Sequence, residues 1–157
     1  ARAETVAERR AFAEAFRHHR CLVPADGFYE WTGDRQARRP FWFHRPEGLP
    51  FAFAGLASTA RLRNEAGPST SFTIVTTEAN GLVGRIHDRM PVILPDEEAM
   101  AAWLYADASP ESLKALLRPV EDRYLVARAV SQRVNSVKFD DAACIEEAEG
   151  ETQASLF

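Results

Sequence analysis

At 157 residues and 46% hydrophobic content, the chain can bury one sizeable core and falls within the size range of a single domain. Its 10% aromatic and 27% charged content excludes a disordered polypeptide, apart from the last dozen or so residues. No apolar run approaches the roughly 20 residues that span a bilayer, and no basic-then-apolar signal segment opens the chain, so a soluble protein with no membrane partner is expected.

Only Cys21 and Cys144 are present, far apart and without metal-ligand spacing, so neither a disulfide framework nor a zinc site is expected and a reducing cytoplasm fits. The net charge of −4 hides an asymmetry. Residues 1–63 carry eleven Arg and no Lys against seven acids, whereas residues 64–157 carry eight cations against sixteen acids. The arginine-rich part suits either a basic face for a phosphate-bearing partner or a solvated helix.

In chain order, residues 5–19 read as a helix, with Thr5 and Glu8 as a capping box and Phe12 and Phe16 on one face. Short apolar runs follow at Cys21–Val23, Phe28–Trp31, Phe41–Phe43 and Phe51–Leu56, a pattern of successive strands. A polar loop is expected at Arg61–Thr70, then strands at Ser71–Thr76 and Met90–Leu94, with Pro91 at a strand start or edge. The spacing of Met100, Trp103 and Leu104 predicts a helix over Asp96–Tyr105. Ser109 and Pro110 predict the cap and first position of another, with Leu113, Leu116 and Leu117 on its apolar stripe. Tyr124–Val130 reads as a closing strand. Strands first and helices later, without βαβ alternation, predict an α+β fold around a curved antiparallel sheet.

Two segments carry candidate chemistry. In Cys21–Trp31, Glu30 is the single carboxylate among Phe28, Tyr29 and Trp31. It is either an outward residue of an alternating strand or, if turned into apolar surroundings, an acid or base with a raised pKa. In Arg85–Leu94, His87 can titrate near neutrality, Asp88 can orient it, and Arg89 offers a fork for phosphate. A structural histidine is the alternative. Thr77 can cap a short helix whose free amides would suit a phosphate, and Trp31 is either a core residue or a platform for an unpaired base. Cys21, in an apolar run, reads as core, and Cys144 lies among acids that disfavour a thiolate.

Three blocks, Ala1–Thr5, Cys21–Trp31 (CLVPADGFYEW) and Thr76–Asn80 running on to Ile86–Leu94, with a weaker match at Val134-Asn135, resemble the SOS-response-associated peptidase (SRAP) family to about residue 140. The resemblance implies a curved, mostly antiparallel β pseudo-barrel with flanking helices, over residues 1–140, followed by an acidic tail at 141–157. It implies a sensor of abasic sites in single-stranded DNA, monomeric, cytoplasmic and nucleoid-associated, with no cofactor and no metal. In the family an N-terminal cysteine traps the opened sugar aldehyde, its thiol and amine closing a thiazolidine. By the same resemblance Glu30 and His87 move protons, and Arg2, Trp31, Thr76 and Arg89 contact DNA. The chain begins inside the family's Asn-Ala-Arg-Ala-Glu block, and the nucleophilic cysteine is not among its residues. Cys21 cannot replace it, since the ring needs an α-amine on the same residue, so the polypeptide as written is not expected to close the thiazolidine. A non-covalent single-stranded DNA-binding module and a peptidase using Glu30 and His87 are the other readings.

Overall fold

The computed structural model describes residues 1–34, 38–61 and 67–148. The expected disordered end and the acidic run past residue 148 lie outside the described residues, as does part of the Arg61–Thr70 loop. The chain divides into two compact units, residues 1–25, 51–78 and 90–120 forming one and residues 26–50, 79–89 and 121–157 the other.

The first unit is built on β4 (Phe51–Arg61), which pairs antiparallel with β1 (Arg20–Ala25), β5 (Pro68–Ile74) and β8 (Ile93–Leu94). The strand expected at Ser71–Thr76 is interrupted at Val75, and β6 (Thr76–Glu78) then pairs with β7 (Arg89–Pro91) in a separate ladder. The interruption has a visible cause. Val75 donates to the Ala54 carbonyl (2.9 Å), Ala54 to Val92 (3.0 Å) and Val92 to Val75 (2.8 Å), so three fully buried residues exchange backbone bonds where the strands diverge. The expected Met90–Leu94 strand is divided at Val92 for the same reason.

The helix expected over residues 5–19 is shorter: only α1 (Ala13–His18) is helical, and turns precede it. Thr5 acts through its carbonyl, accepting from Glu8 and Arg9, and Arg9 then accepts from Phe12 and Ala13. A continuous helix would place Val6 about 120° around the axis from Phe12. Val6, carried by the turns, and Phe16, carried by α1, both lie in the core. The two later helices form as expected, α2 (Glu97–Leu104) behind an Asp96 side-chain cap and α3 (Pro110–Leu116) behind Ser109, with Pro110 in the first turn.

Phe16 and Trp103 meet edge to face at 5.9 Å within a core that includes Leu56, Leu94 and Leu113. Arg20 closes the ends of α1 and α2 together. Its guanidinium donates to the carbonyls of Phe16 (2.8 Å), Arg17, Trp103 (2.6 Å) and Tyr105 (2.7 Å), groups that helix ends leave without intrahelical partners.

The second unit holds an antiparallel sheet of order β2 (Gly27–Thr32), β3 (Arg39–His44), β9 (Val126–Ala129). The closing strand is thus shorter than the expected Tyr124–Val130, because Asp122–Tyr124 forms a 3-10 turn. Gly27 is dictated by contact: a Cβ there would lie 2.0 Å from Trp42 Nε1 and 2.7 Å from the Phe43 carbonyl. The architecture is α+β with mostly antiparallel strands and three helices, as expected, although the strands form separate open sheets rather than one closed barrel among the described residues. None of the described helices is long and apolar enough to cross a membrane.

Replacing Arg20 by Ala is expected to cost about 2–3 kcal/mol, lowering the melting temperature by about 5–10 °C. Arg20→Lys should recover less than half of that, since an ammonium cannot reach carbonyls on two helix ends. Thermal unfolding followed by circular dichroism checks this, and an unchanged midpoint for Arg20→Ala would refute the joint cap.

Candidate active site

Strand parity decides where the carboxylate of Glu30 goes. In the register of β2 with β3, Phe28 lies opposite Phe43 and Glu30 opposite Phe41, and β3 then sets Phe41 against Ala129 and Phe43 against Ala127. Directly opposed residues share a face. Phe41, Phe43, Ala127 and Ala129 are all buried, and Phe28 stacks on Phe43 with ring centres 5.1 Å apart. Glu30 therefore stands on the apolar face of this sheet. The reading of an outward residue on an alternating strand does not hold.

Burial pushes the Glu30 carboxyl above its ordinary value of 4.5; His87 pulls it back in part, while the nearby Asp88 charge pushes it further up. Residues fifty-seven positions apart in sequence thus act on one another electrostatically within the same unit.

The segment that delivers His87 is held by its own backbone. Ala79 donates to the Asp88 carbonyl (3.0 Å), closing the loop, and Val83 donates to Asn80 Oδ1 (2.9 Å), starting the 3-10 turn Val83–Arg85. Asn80 is the cap here, in place of the expected Thr77, whose buried hydroxyl instead donates to the Leu117 carbonyl at 3.4 Å. The amides expected to await a phosphate are occupied as well. Gly81 donates to Asp122 Oδ1 at 2.8 Å, so a carboxylate sits where an anion would.

His87 Nδ1 faces both backbone groups of Arg89, its N–H at 3.1 Å and its carbonyl at 3.0 Å, with Asp88 Oδ1 at 3.5 Å. The neutral ring can accept from the N–H, and the protonated ring can donate to the carbonyl. Nδ1 is thus engaged by the Arg89 backbone. The imidazole is half-exposed in its side chain.

The remaining residues singled out from sequence divide into separate groups. Trp31 is adjacent to Glu30 but on the opposite face of β2, with Tyr29, and its indole N–H donates to Asn135 Oδ1 at 2.7 Å. Arg2 and Thr76 belong to the first unit, where they form a parallel bridge: Thr76 donates to the Ala1 carbonyl (2.7 Å) and Ala3 to the Thr76 carbonyl (2.8 Å). Arg89 follows His87 and starts β7. Burial raises the Cys21 thiol, the reverse of an activated nucleophile, and Cys144 is buried.

Several neighbours were missed from sequence. Trp42, His44 and Arg128 share the Trp31 face, Trp42 stacking on His44 at 4.1 Å beneath the Arg128 guanidinium at 4.9 Å. The alternation Phe41-Trp42-Phe43-His44 carries that signal in period two.

A half-buried carboxyl with a raised pKa, under the electrostatic influence of an imidazole, on a β-rich scaffold, is an arrangement suited to acid–base chemistry. Comparison with known proteins gives it a family. Residues 1–137 match the SOS response associated peptidase (SRAP) family, and the chain belongs to it. It is 40% identical over 148 residues to the abasic site processing protein YoqW of Bacillus subtilis and 38% identical over 148 residues to YoaM of the same organism, described in the same words. These alignments take in 93% of this chain and 65% and 64% of the relatives, so the chain spans about two thirds of their length. A crystal structure of a Bacteroides thetaiotaomicron protein superposes with a TM-score of 0.85 at 26% identity, covering 94% of this chain and 65% of that one.

The raised Glu30 carboxyl predicts a pH signature. The folded protein holds this proton where the unfolded chain has already lost it, so Glu30 lowers stability as pH rises from the ordinary carboxyl range through the raised value. Relative to Glu30→Gln, the native protein should lose melting temperature across that interval and keep a constant gap above it. A gap of the same size at every pH would contradict the assignment.

Proposed function

We propose that this protein recognises abasic sites in single-stranded DNA and that Glu30 and His87 move the protons of a covalent capture reaction, in the service of the DNA damage response. The observation that carries this reading is the placement of Glu30 on an apolar sheet face within electrostatic reach of His87. The names of its relatives support the substrate.

An abasic sugar in its opened form presents an aldehyde. An amine adds to the aldehyde carbon and the resulting carbinolamine must lose its hydroxyl as water, a step that needs a proton donor near neutrality. A carboxyl whose pKa is raised by burial keeps that proton where an ordinary glutamate has lost it. A thiol on the same residue then adds to the iminium carbon, closing the five-membered ring and releasing its proton. One water leaves overall, and Glu30 recovers its proton from the medium or through His87. By family resemblance the amine and thiol belong to an N-terminal cysteine; this chain supplies the acid–base pair. His87, with a partner at Nδ1 in either state, suits proton delivery to the sugar oxygens, including during reversal.

Arg2, Arg89 and Thr76 contact the phosphates in this reading, and Trp31 contacts a base. The protein works as a cytoplasmic, nucleoid-associated monomer. The arginine-rich first part of the chain supports an anionic partner, arginine being the forked phosphate ligand.

A form of the protein with a free N-terminal cysteine ahead of this chain should give a denaturation-resistant adduct with abasic single-stranded DNA. Glu30→Gln should slow adduct formation by about 10²–10⁴-fold while changing affinity for a non-reactive abasic analogue by less than about threefold. Folded protein that yields no adduct would reject the covalent reading, and equal losses of affinity and rate would make Glu30 a binding residue instead. Arg2→Gln should weaken DNA binding at low salt and reduce the slope of log affinity against log salt by about 0.7, the value for one lost phosphate contact on a single strand.

A further inference from the structure

We propose that Asn135 is a positioning residue for Trp31, holding the indole in a fixed orientation so that an unpaired base can stack on it. The proposal rests on the reading of this protein as a binder of single-stranded DNA, and it assigns a role to a residue outside the acid–base pair.

The carboxamide of Asn135 is used at both ends. Its Oδ1 accepts from the Trp31 indole N–H at 2.7 Å, and its Nδ2 donates to the Arg38 carbonyl at 3.2 Å. An indole nitrogen can only donate and a carbonyl can only accept, so this arrangement admits one orientation of the amide. The three groups come from the end of β2, the start of β3 and the 3-10 turn Gln132–Asn135, which are ninety-seven to one hundred and four positions apart in the two long-range pairs.

The turn that carries Asn135 is itself braced. Ser131 Oγ accepts from Arg133 N (3.3 Å) at its start, and Ser136 N donates to the Arg133 carbonyl (3.2 Å) at its end. The Arg133 guanidinium grips Asp141, with Nη2 at 2.7 Å from Oδ2 and Nε at 3.2 Å from Oδ1, and lies 3.8 Å over the Phe139 ring. Asn135 is therefore presented from a fixed platform.

The bond engages the edge of the indole, whereas base stacking uses its face, so the two do not compete. Trp31 is half-buried, tilted against Tyr29 at a ring separation of 6.0 Å. Asn135 itself is exposed, where a hydrogen bond competes with water and adds little to folding. Its effect falls on orientation: a ring already held in place loses less freedom when a base arrives.

The test is a double-mutant cycle on affinity for single-stranded DNA containing a tetrahydrofuran abasic analogue, read by fluorescence anisotropy, with Trp31→Ala as reference. Trp31→Phe keeps an aromatic face and removes the N–H. Asn135→Ala should weaken binding by about two- to tenfold. In the Trp31→Phe background the same substitution should have no further effect, and Asn135→Ala alone should leave the melting temperature within about 2 °C of the parent. A Trp31→Ala protein that binds like the parent overturns the stacking role of Trp31 and the proposal with it. If Trp31→Ala weakens binding but Asn135→Ala does not, or weakens it equally with Trp and with Phe at position 31, the proposal alone falls and the wider reading stands.

Discussion

The constraint on which the candidate site depends is the half-burial of one ionisable side chain, Glu30, beside the aromatic residues of a short sheet. Glu30 shares a sheet face with Phe28, Phe41 and Phe43 because a strand alternates its side chains and β2 runs in unbroken register from Gly27 to Thr32. Nothing about glutamate favours the position. A slip of one residue would turn the carboxyl outward and drive Tyr29 and Trp31 inward, so the register that completes the core also charges the site. The sequence enforces it with a close approach at Gly27, where the Trp42 indole takes the space of a side chain.

This arrangement costs stability. An apolar residue at position 30 would extend the packed face, and a glutamate there resists ionisation. The first unit has a dense core in which Val6, Val75, Val92 and Trp103 are fully buried, and its Arg20 guanidinium closes two helix ends. His87 and Asp88 then adjust the carboxyl in opposite senses.

Much of the framework was legible in sequence because it rests on local rules. Asp96 and Ser109 cap α2 and α3 through their side chains, Pro110 takes the first turn, and the short aromatic runs form strands. The blocks around Glu30 and His87 were legible as candidates, but what makes Glu30 special is long-range: the register with Phe41 and the approach of residues 87 and 88. The misread features fail for related reasons. Residues 5–12 carry helical signals, yet they form turns, from which Val6 enters the core. The 76–81 segment looks like a helix start with open amides, yet Asp122, forty-one positions away, already occupies the Gly81 amide, and Asn80 rather than Thr77 provides the cap. Local propensity proposes a structure, and a distant partner overrides it.

The separation of Glu30 from Trp31 follows from the same alternation. Adjacent in sequence, they occupy opposite faces of β2, which is an edge strand of its sheet. One face carries Glu30 beside Phe28, Phe41 and Phe43. The other gathers Tyr29, Trp31, Trp42, His44 and Arg128, aromatic rings with a guanidinium stacked among them. Six residues thus give the protein two chemically distinct surfaces one strand thick. A carboxyl raised by burial needs a dry surround, whereas base stacking, in the proposed function, needs access for a planar ring. Those demands conflict on a single face and are reconciled by placing them back to back.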